Sequence, residues 1–171
     1  MANELQLAED ELIVSRTDLQ GTITYCNRVF MRITGYSAAD VLGRPHSVVR
    51  HPGMPRGVFR LMWETIEQGN EYYGFIRNRT SSDDSYWCFI VVTPDRDPNG
   101  RRRGYFAVQR RARSEAIGPI SRIYDQMLAV ERRSGRAEAP AASLRWLRQH
   151  LAEQNTEYEP FIIMLQQGET I

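Results

Sequence analysis

Three long strand-like segments follow one another between Glu71 and Arg111. They are Glu71–Arg79, Ser85–Asp95 and Arg102–Arg111, separated only by the polar turns Ser81–Asp84 and Asp97–Gly100. Runs of this length, rich in Tyr, Phe, Ile and Val, read as strands, and turns this short join antiparallel neighbours. Two shorter candidate strands precede them, Glu11–Arg16 and Thr22–Cys26, around the turn Asp18-Leu19-Gln20-Gly21. Between the two groups the spacing changes. Asn27 is placed to cap a helix over Arg28–Thr34, whose Val29, Phe30 and Ile33 share one face, and Gly35 can end it. Ser37 caps a further turn running to Leu42. A longer helix fits Pro55–Gln68, with Val58, Phe59, Met62, Trp63 and Ile66 in one stripe and Gly69 behind it. Two strands, small helices, then three strands is an α+β pattern with an antiparallel sheet.

Beyond the last strand the chain turns helical. Glu115–Glu131 carries Ile117, Ile120, Tyr124, Met127 and Leu128 at helical spacing, and Ser143–Tyr158 carries Leu144, Leu147, Leu151 and Tyr158. Pro160 is expected to break the second helix before the apolar run Phe161–Leu165. Arg132–Ala142, with its Gly, Pro and Ala, is the one linker candidate. The expected organisation is a compact domain over 1–113 and a helical extension over 114–171. The two stripes need cover: the sheet's free face, each other, or a second chain.

Composition removes several function classes. Apolar residues make up 42% and charged residues 25%, enough of the former for a core, so disorder throughout is excluded. The longest apolar runs, Cys88–Val92 and Phe161–Leu165, fall far short of the roughly 20 residues of a membrane span. The N-terminal MANELQLAEDEL has acids where a signal peptide needs bases, so a cytoplasmic location is expected, or a soluble piece of a longer membrane receptor. Cys26 and Cys88 make neither a disulfide framework nor a zinc site and read as buried thiols. The net charge of +1 implies no bulk attraction to nucleic acid, and Arg101–Arg103 sits at a hairpin turn, where solvated charge is usual. No P-loop, metal motif or catalytic triad order is present, and an enzyme is not expected.

The motifs carry more. Asp18, Gly21, Ile23, Asn27, Phe30, the triplet Thr34-Gly35-Tyr36 and Gly43 resemble the PAS domain family, whose fold is a five-stranded antiparallel sheet with short helices on one face. The next stretch narrows the resemblance. Val49-Arg50-His51-Pro52, Met54-Pro55-Arg56, Phe59, Met62-Trp63, Gly69, Gly74, Ile76, Asn78-Arg79 and Tyr86-Trp87 resemble the aerotaxis-receptor (Aer) type of PAS domain. The resemblance covers about Asp10–Arg113. It implies a module that binds FAD and reads redox or oxygen-linked energy state in signal transduction. It also favours a homodimer through flanking helices and a separate downstream signalling protein or transmitter domain.

By that resemblance Asn27, Arg50, His51, Trp63, Tyr72 and Asn78 stand at positions tied to FAD binding or signalling. The residue types suit the chemistry. Trp63, Tyr72 and Trp87 can wall a flat ring, Asn27 and Asn78 can bond its polar edge, and Arg50 offers a planar fork. Each has a plainer reading alone: Asn27 as a helix cap, Trp63 as core, Arg50 as surface charge. Two positions depart from the family pattern: Gly53 replaces the usual Asp, and Tyr72 the usual Trp. Two alternatives remain. One is a cofactor-free PAS interaction module; the other is a haem gas sensor with His51 or His46 as axial ligand. The cysteine motif of light-oxygen-voltage photoreceptors is lacking where Val49-Arg50-His51-Pro52 stands.

Overall fold

The computed structural model describes residues 3–169. Its strands are β1 (Glu4–Leu5), β2 (Ile13–Thr17), β3 (Ile23–Cys26), β4 (Tyr72–Arg79), β5 (Ser85–Arg96) and β6 (Arg102–Arg111). Its helices are α1 (Arg28–Thr34), α2 (Ala38–Val41), α3 (Arg56–Glu67), α4 (Ser114–Arg133), α5 (Ala139–Ala152) and α6 (Tyr158–Gln167). The five long strands form one antiparallel sheet in the order β4-β5-β6-β2-β3. The sequence reading lacked β1, which pairs in parallel with Ser85 and Tyr86 beyond the end of β6. Two residues with one apolar side chain carry no period that could announce a strand.

Local signals fix the small helices between β3 and β4. The Asn27 side chain accepts from the Phe30 N–H and starts α1. Ser37 and Asp40 close a capping box on α2. A 3₁₀ turn at His46–Val49 leads through Pro52 and Pro55 into α3. Helix α3 buries Val58, Leu61 and Ile66.

The C-terminal region differs from its expected outline. The linker shrinks to a few residues after Arg133, because α5 begins at Ala139 with Pro140 in its first turn. Pro160 opens a helix instead of breaking one: it lies in the first turn of α6, where a missing N–H costs no intrahelical bond. The preceding helix ends at Ala152, with Asn155 in a left-handed conformation shortly after.

Helices α4, α5 and α6 pack back on this chain. Tyr124 of α4 donates to the Phe75 carbonyl of β4 at 2.7 Å and stacks on Trp87 at 6.1 Å. Tyr158 of α6 stacks on Tyr72 of β4 at 5.8 Å, their hydroxyls 2.7 Å apart. Ile120, Tyr124, Met127, Leu144, Leu147 and Leu151 are all buried. Most of the two stripes is thus covered within the chain, and Ile117 and Leu128 remain half-buried.

Leu147→Ala should therefore destabilise the full chain by about 2–5 kcal/mol, the usual cost of truncating a buried leucine. A chain of this size loses roughly 2–4 °C of Tm per kcal/mol, which thermal denaturation followed by circular dichroism measures. An unchanged Tm would contradict the docked position of α5.

Candidate functional site

A cavity of about 220 Å³ lies between the sheet and α3, closed at one end by the 3₁₀ turn. Strand alternation sets which side chains reach it. Ile76 and Asn78 of β4, Ile90 and Val92 of β5, and Tyr105 and Ala107 of β6 all point inward. Helix α3 supplies the facing wall with Phe59, Met62, Trp63 and Ile66, and Trp63 meets Tyr105 edge-on at 5.6 Å. The polar lining comes from Thr17, Gln20, His46, Ser47, Arg50 and Asn78.

Arg50 is the charged member of that lining. Its guanidinium lies flat over the Phe59 ring, 3.5 Å from the centroid, and its backbone pairs with that of Asn78. Burial, and secondarily Arg56, lowers its pKa from the ordinary guanidinium value. Its Nε is buried without a hydrogen-bond partner. The second such atom among the described residues is Nε2 of Gln109, a fully buried side chain on β6. Gln109 Oε1 accepts from Asn78 Nδ2 at 3.0 Å and from the Cys88 thiol at 3.1 Å. Turning the amide over would set its donor against that of Asn78. A buried donor left unpaired costs about 1–3 kcal/mol, so Arg50 Nε on the cavity lining points to an acceptor-bearing ligand, while Gln109 lies behind the lining and reaches it through Asn78.

The seven residues singled out by sequence separate. Arg50, Trp63 and Asn78 meet at the cavity. Asn27, His51, Tyr72 and Trp87 are not among its lining residues. Asn27 is spent on structure: Oδ1 accepts from Val14 and Phe30 N–H groups, and Nδ2 donates to the Leu12 carbonyl. His51 accepts from the Gly53 N–H at 3.0 Å, and its backbone N–H bonds the Arg77 carbonyl. Tyr72 is committed to Tyr158, and its phenol is held protonated by burial. Trp87 lies on the opposite face of the sheet, against Tyr124. Gly53 has no positive φ, but a Cβ there would press on the His51 ring at 3.0 Å, so the family's Asp would neighbour His51.

Sequence reasoning passed over Gln109. Its strand alternates Tyr105, Ala107, Gln109 against Phe106, Val108, Arg110, and neither set is apolar enough to name the inner face. His46 was visible only as a haem candidate. It is half-buried, bonded through Nε2 to Ser15 Oγ at 2.9 Å, and edge-on to Phe30. Burial moves its pKa from the ordinary 6.5 to about 4. Both cysteines are buried free thiols whose pKa burial raises.

A family model described as the PAS fold matches residues 11–112. The chain belongs to the PAS family. The aerotaxis receptor of Escherichia coli is 33% identical over 151 residues, covering 82% of this chain and 30% of the receptor. That share exceeds what residues 1–112 can supply, so the similarity runs into the C-terminal helices. The nitrogen fixation regulatory protein of Klebsiella pneumoniae is 34% identical over 97 residues, 57% of this chain and 20% of that protein. This PAS chain thus spans less than a third of these relatives' length. Among solved structures, a light-oxygen-voltage domain whose mechanism was probed with a flavin analogue superposes with a TM-score of 0.57 at 19% identity. It covers 67% of this chain and 86% of that one. An RNA-binding light-oxygen-voltage receptor gives 0.56 at 23%, over 71% and 35%. At such identities these two establish the fold.

The lowered pKa of His46 makes stability depend on pH. Above 6.5 the imidazole is neutral in both states and contributes nothing. As pH falls from 6.5 towards 4 the unfolded chain takes up a proton that the folded chain resists, so folding stability declines. The full effect is roughly 3 kcal/mol, because each tenfold loss of proton affinity is worth about 1.4 kcal/mol. His51 moves in the same direction, by burial and then by Arg77 and Arg79, so the comparison must be with a variant. Urea denaturation between pH 7 and 4.5 should show a shallower decline for His46→Leu than for the wild type. Parallel curves would place the proton elsewhere.

Proposed function

We propose that this PAS domain binds FAD non-covalently in the cavity and serves as a redox or oxygen-linked energy sensor, a signalling module rather than an enzyme. The observation that carries the reading is Arg50 Nε, a buried donor without a partner on the lining of an aromatic-walled cavity. A flavin ring is a flat apolar body with carbonyl and nitrogen acceptors along one edge, which is the complement of such a site. The volume of about 220 Å³ lies below the ~300–1,000 Å³ of sites for drug-sized ligands. A cavity of this size would suit the ring system rather than the whole dinucleotide. The relatedness to an aerotaxis receptor supports the same reading.

Bound FAD supplies reversible electron uptake with proton exchange at a ring nitrogen. The residues of the chain hold and read it. Trp63, Phe59 and Met62 on one side, and Ile90, Val92 and Ala107 on the other, exclude water from the ring. Arg50 donates to an acceptor and keeps its charge at any physiological pH. Asn78 and Gln109 bond each other across β4 and β6, with Cys88 of β5 on the same acceptor oxygen. A change in what the ligand accepts at one amide alters the bonds of the other, and three strands share the adjustment. Such a change shifts populations only by the difference in interaction with the two states. The receiver of the signal is a separate domain or protein. Among the described residues no helix is long and apolar enough to cross a membrane.

Heat or acid should release FAD, identified by chromatography. Arg50→Ala removes a charge-assisted bond worth about 1.5–3 kcal/mol, which weakens FAD binding roughly 10- to 150-fold. Trp63→Ala also lowers occupancy, compared at equal folded protein. His150→Ala, whose ring stacks on Trp146 in α5, leaves it unchanged. A folded, colourless protein that takes up no added FAD would refute the reading and favour a cofactor-free module.

A further inference from the structure

Helix α3 has two working sides. One carries Phe59, Met62, Trp63 and Ile66 into the cavity. The other is fastened to the C-terminal helices at its N-terminus, where the first N–H groups have no partner within the helix and Pro55 supplies no cap. The Gly57 N–H donates instead to Glu131 Oε1 of α4 at 3.0 Å, and the same oxygen accepts from Ser143 Oγ of α5 at 2.6 Å. Arg56 donates to the Arg136 carbonyl at 2.8 Å, and Glu64 pairs with Arg148 of α5 at 3.0 Å. The approach is as close as glycine allows: a Cβ on Gly57 would stand 2.2 Å from Ser143 Oγ and 2.9 Å from the backbone nitrogen of Leu144. The same C-terminal helices also grip the opposite layer, through Tyr124 to the Phe75 carbonyl and Tyr158 to Tyr72. Residues 114–167 thus hold the cavity's two walls, α3 and β4, at once.

We propose that this three-helix unit is a clamp that reports the state of the cavity, with Glu131 as the pin joining α3, α4 and α5. Any displacement of α3 against β4 has to be absorbed at the Gly57–Glu131–Ser143 joint, because that joint has no slack. The coupling is reciprocal: what tightens the cavity tightens the clamp, and loosening the clamp weakens binding by the same factor. In its ligand-dependent form the inference rests on the cofactor reading above.

Hydrogen–deuterium exchange on the full chain, with and without FAD, tests it. In the wild type FAD should slow exchange over 139–152 by about five-fold or more, the lower end of ordinary coupling. Gly57→Ala, which wedges the joint without touching the cavity, should abolish that difference and weaken FAD binding by the same factor. Glu131→Gln, which keeps one acceptor oxygen, turns the other into an NH2 donor and removes the charge, should act in the same direction and serves if Gly57→Ala does not fold. Bound FAD, seen by its absorbance, with no effect on exchange over 139–152 would overturn the clamp and leave the cofactor reading standing. So would a loosened α5 with unchanged FAD affinity. Should no FAD bind, the cofactor reading fails and the apo chain decides the clamp. Faster exchange in Gly57→Ala over both 59–66 and 139–152 supports it, and faster exchange over 139–152 alone refutes it.

Discussion

Strands β4 and β5 are buried on both faces, and that double burial governs the rest of the molecule. An antiparallel sheet commonly turns one face to water and then alternates apolar with polar residues. Here Phe75, Ile76, Tyr86, Cys88, Phe89 and Ile90 are buried in near-continuous succession, so neither face can be left to solvent. The helices between β3 and β4 cover one side, and the helices after β6 cover the other and the exposed edge of β4. At about 25 cal/mol per Å² of apolar surface removed from water, leaving either side open would cost more than most domains have to spare.

The inner cover is not close-packed. A cavity persists where α3 bridges the sheet, and the side chains around it are an odd choice for an interior. An arginine lies flat on a phenylalanine, and an amide cluster leaves donors unpaired. A core selected for stability alone would hold apolar groups there. Of the unpaired donors, Arg50 Nε stands at the void itself, and Gln109 is one hydrogen bond away through Asn78. Asn78 sits at the junction: its side chain bonds Gln109, and its backbone pairs with Arg50 on the segment that closes the cavity. One residue thus joins the sheet to the segment that closes the cavity.

The outer cover links the cavity to the rest of the chain. The tyrosine hydroxyls at positions 124 and 158 are buried, and each finds a partner on β4. Helix α4 then carries Glu131 around to the N-terminus of α3, where a carboxylate is favoured both by free N–H groups and by the helix dipole. Sheet edge, C-terminal helices and cavity wall form one closed circuit of polar contacts across otherwise apolar interfaces.

Much of this was legible in the sequence because it is local. The turns around the hairpins, the cap at Asn27, the box at Ser37 and the stripe on α3 depend on residues a few positions apart. The five long strands of the sheet and the helices before β4 follow from them, and the residues from Asp18 to Gly43 named the family. The site was only partly legible, since a residue's type does not say where its neighbours leave it. Asn27 looked like a ligand and is a cap. Tyr72 and Trp87 looked like ring walls, yet one is taken by Tyr158 and the other faces away. Gln109 showed no signal because its strand is amphipathic on neither period. The sequence by itself determined the five long strands, the helices before β4 and the family. Only the tertiary structure decided which aromatic residues reach the cavity and which donors are left unpaired. It also decided that most of the C-terminal stripes is covered within the chain. Those outcomes depend on contacts between residues 31 to 86 positions apart, where no local propensity acts.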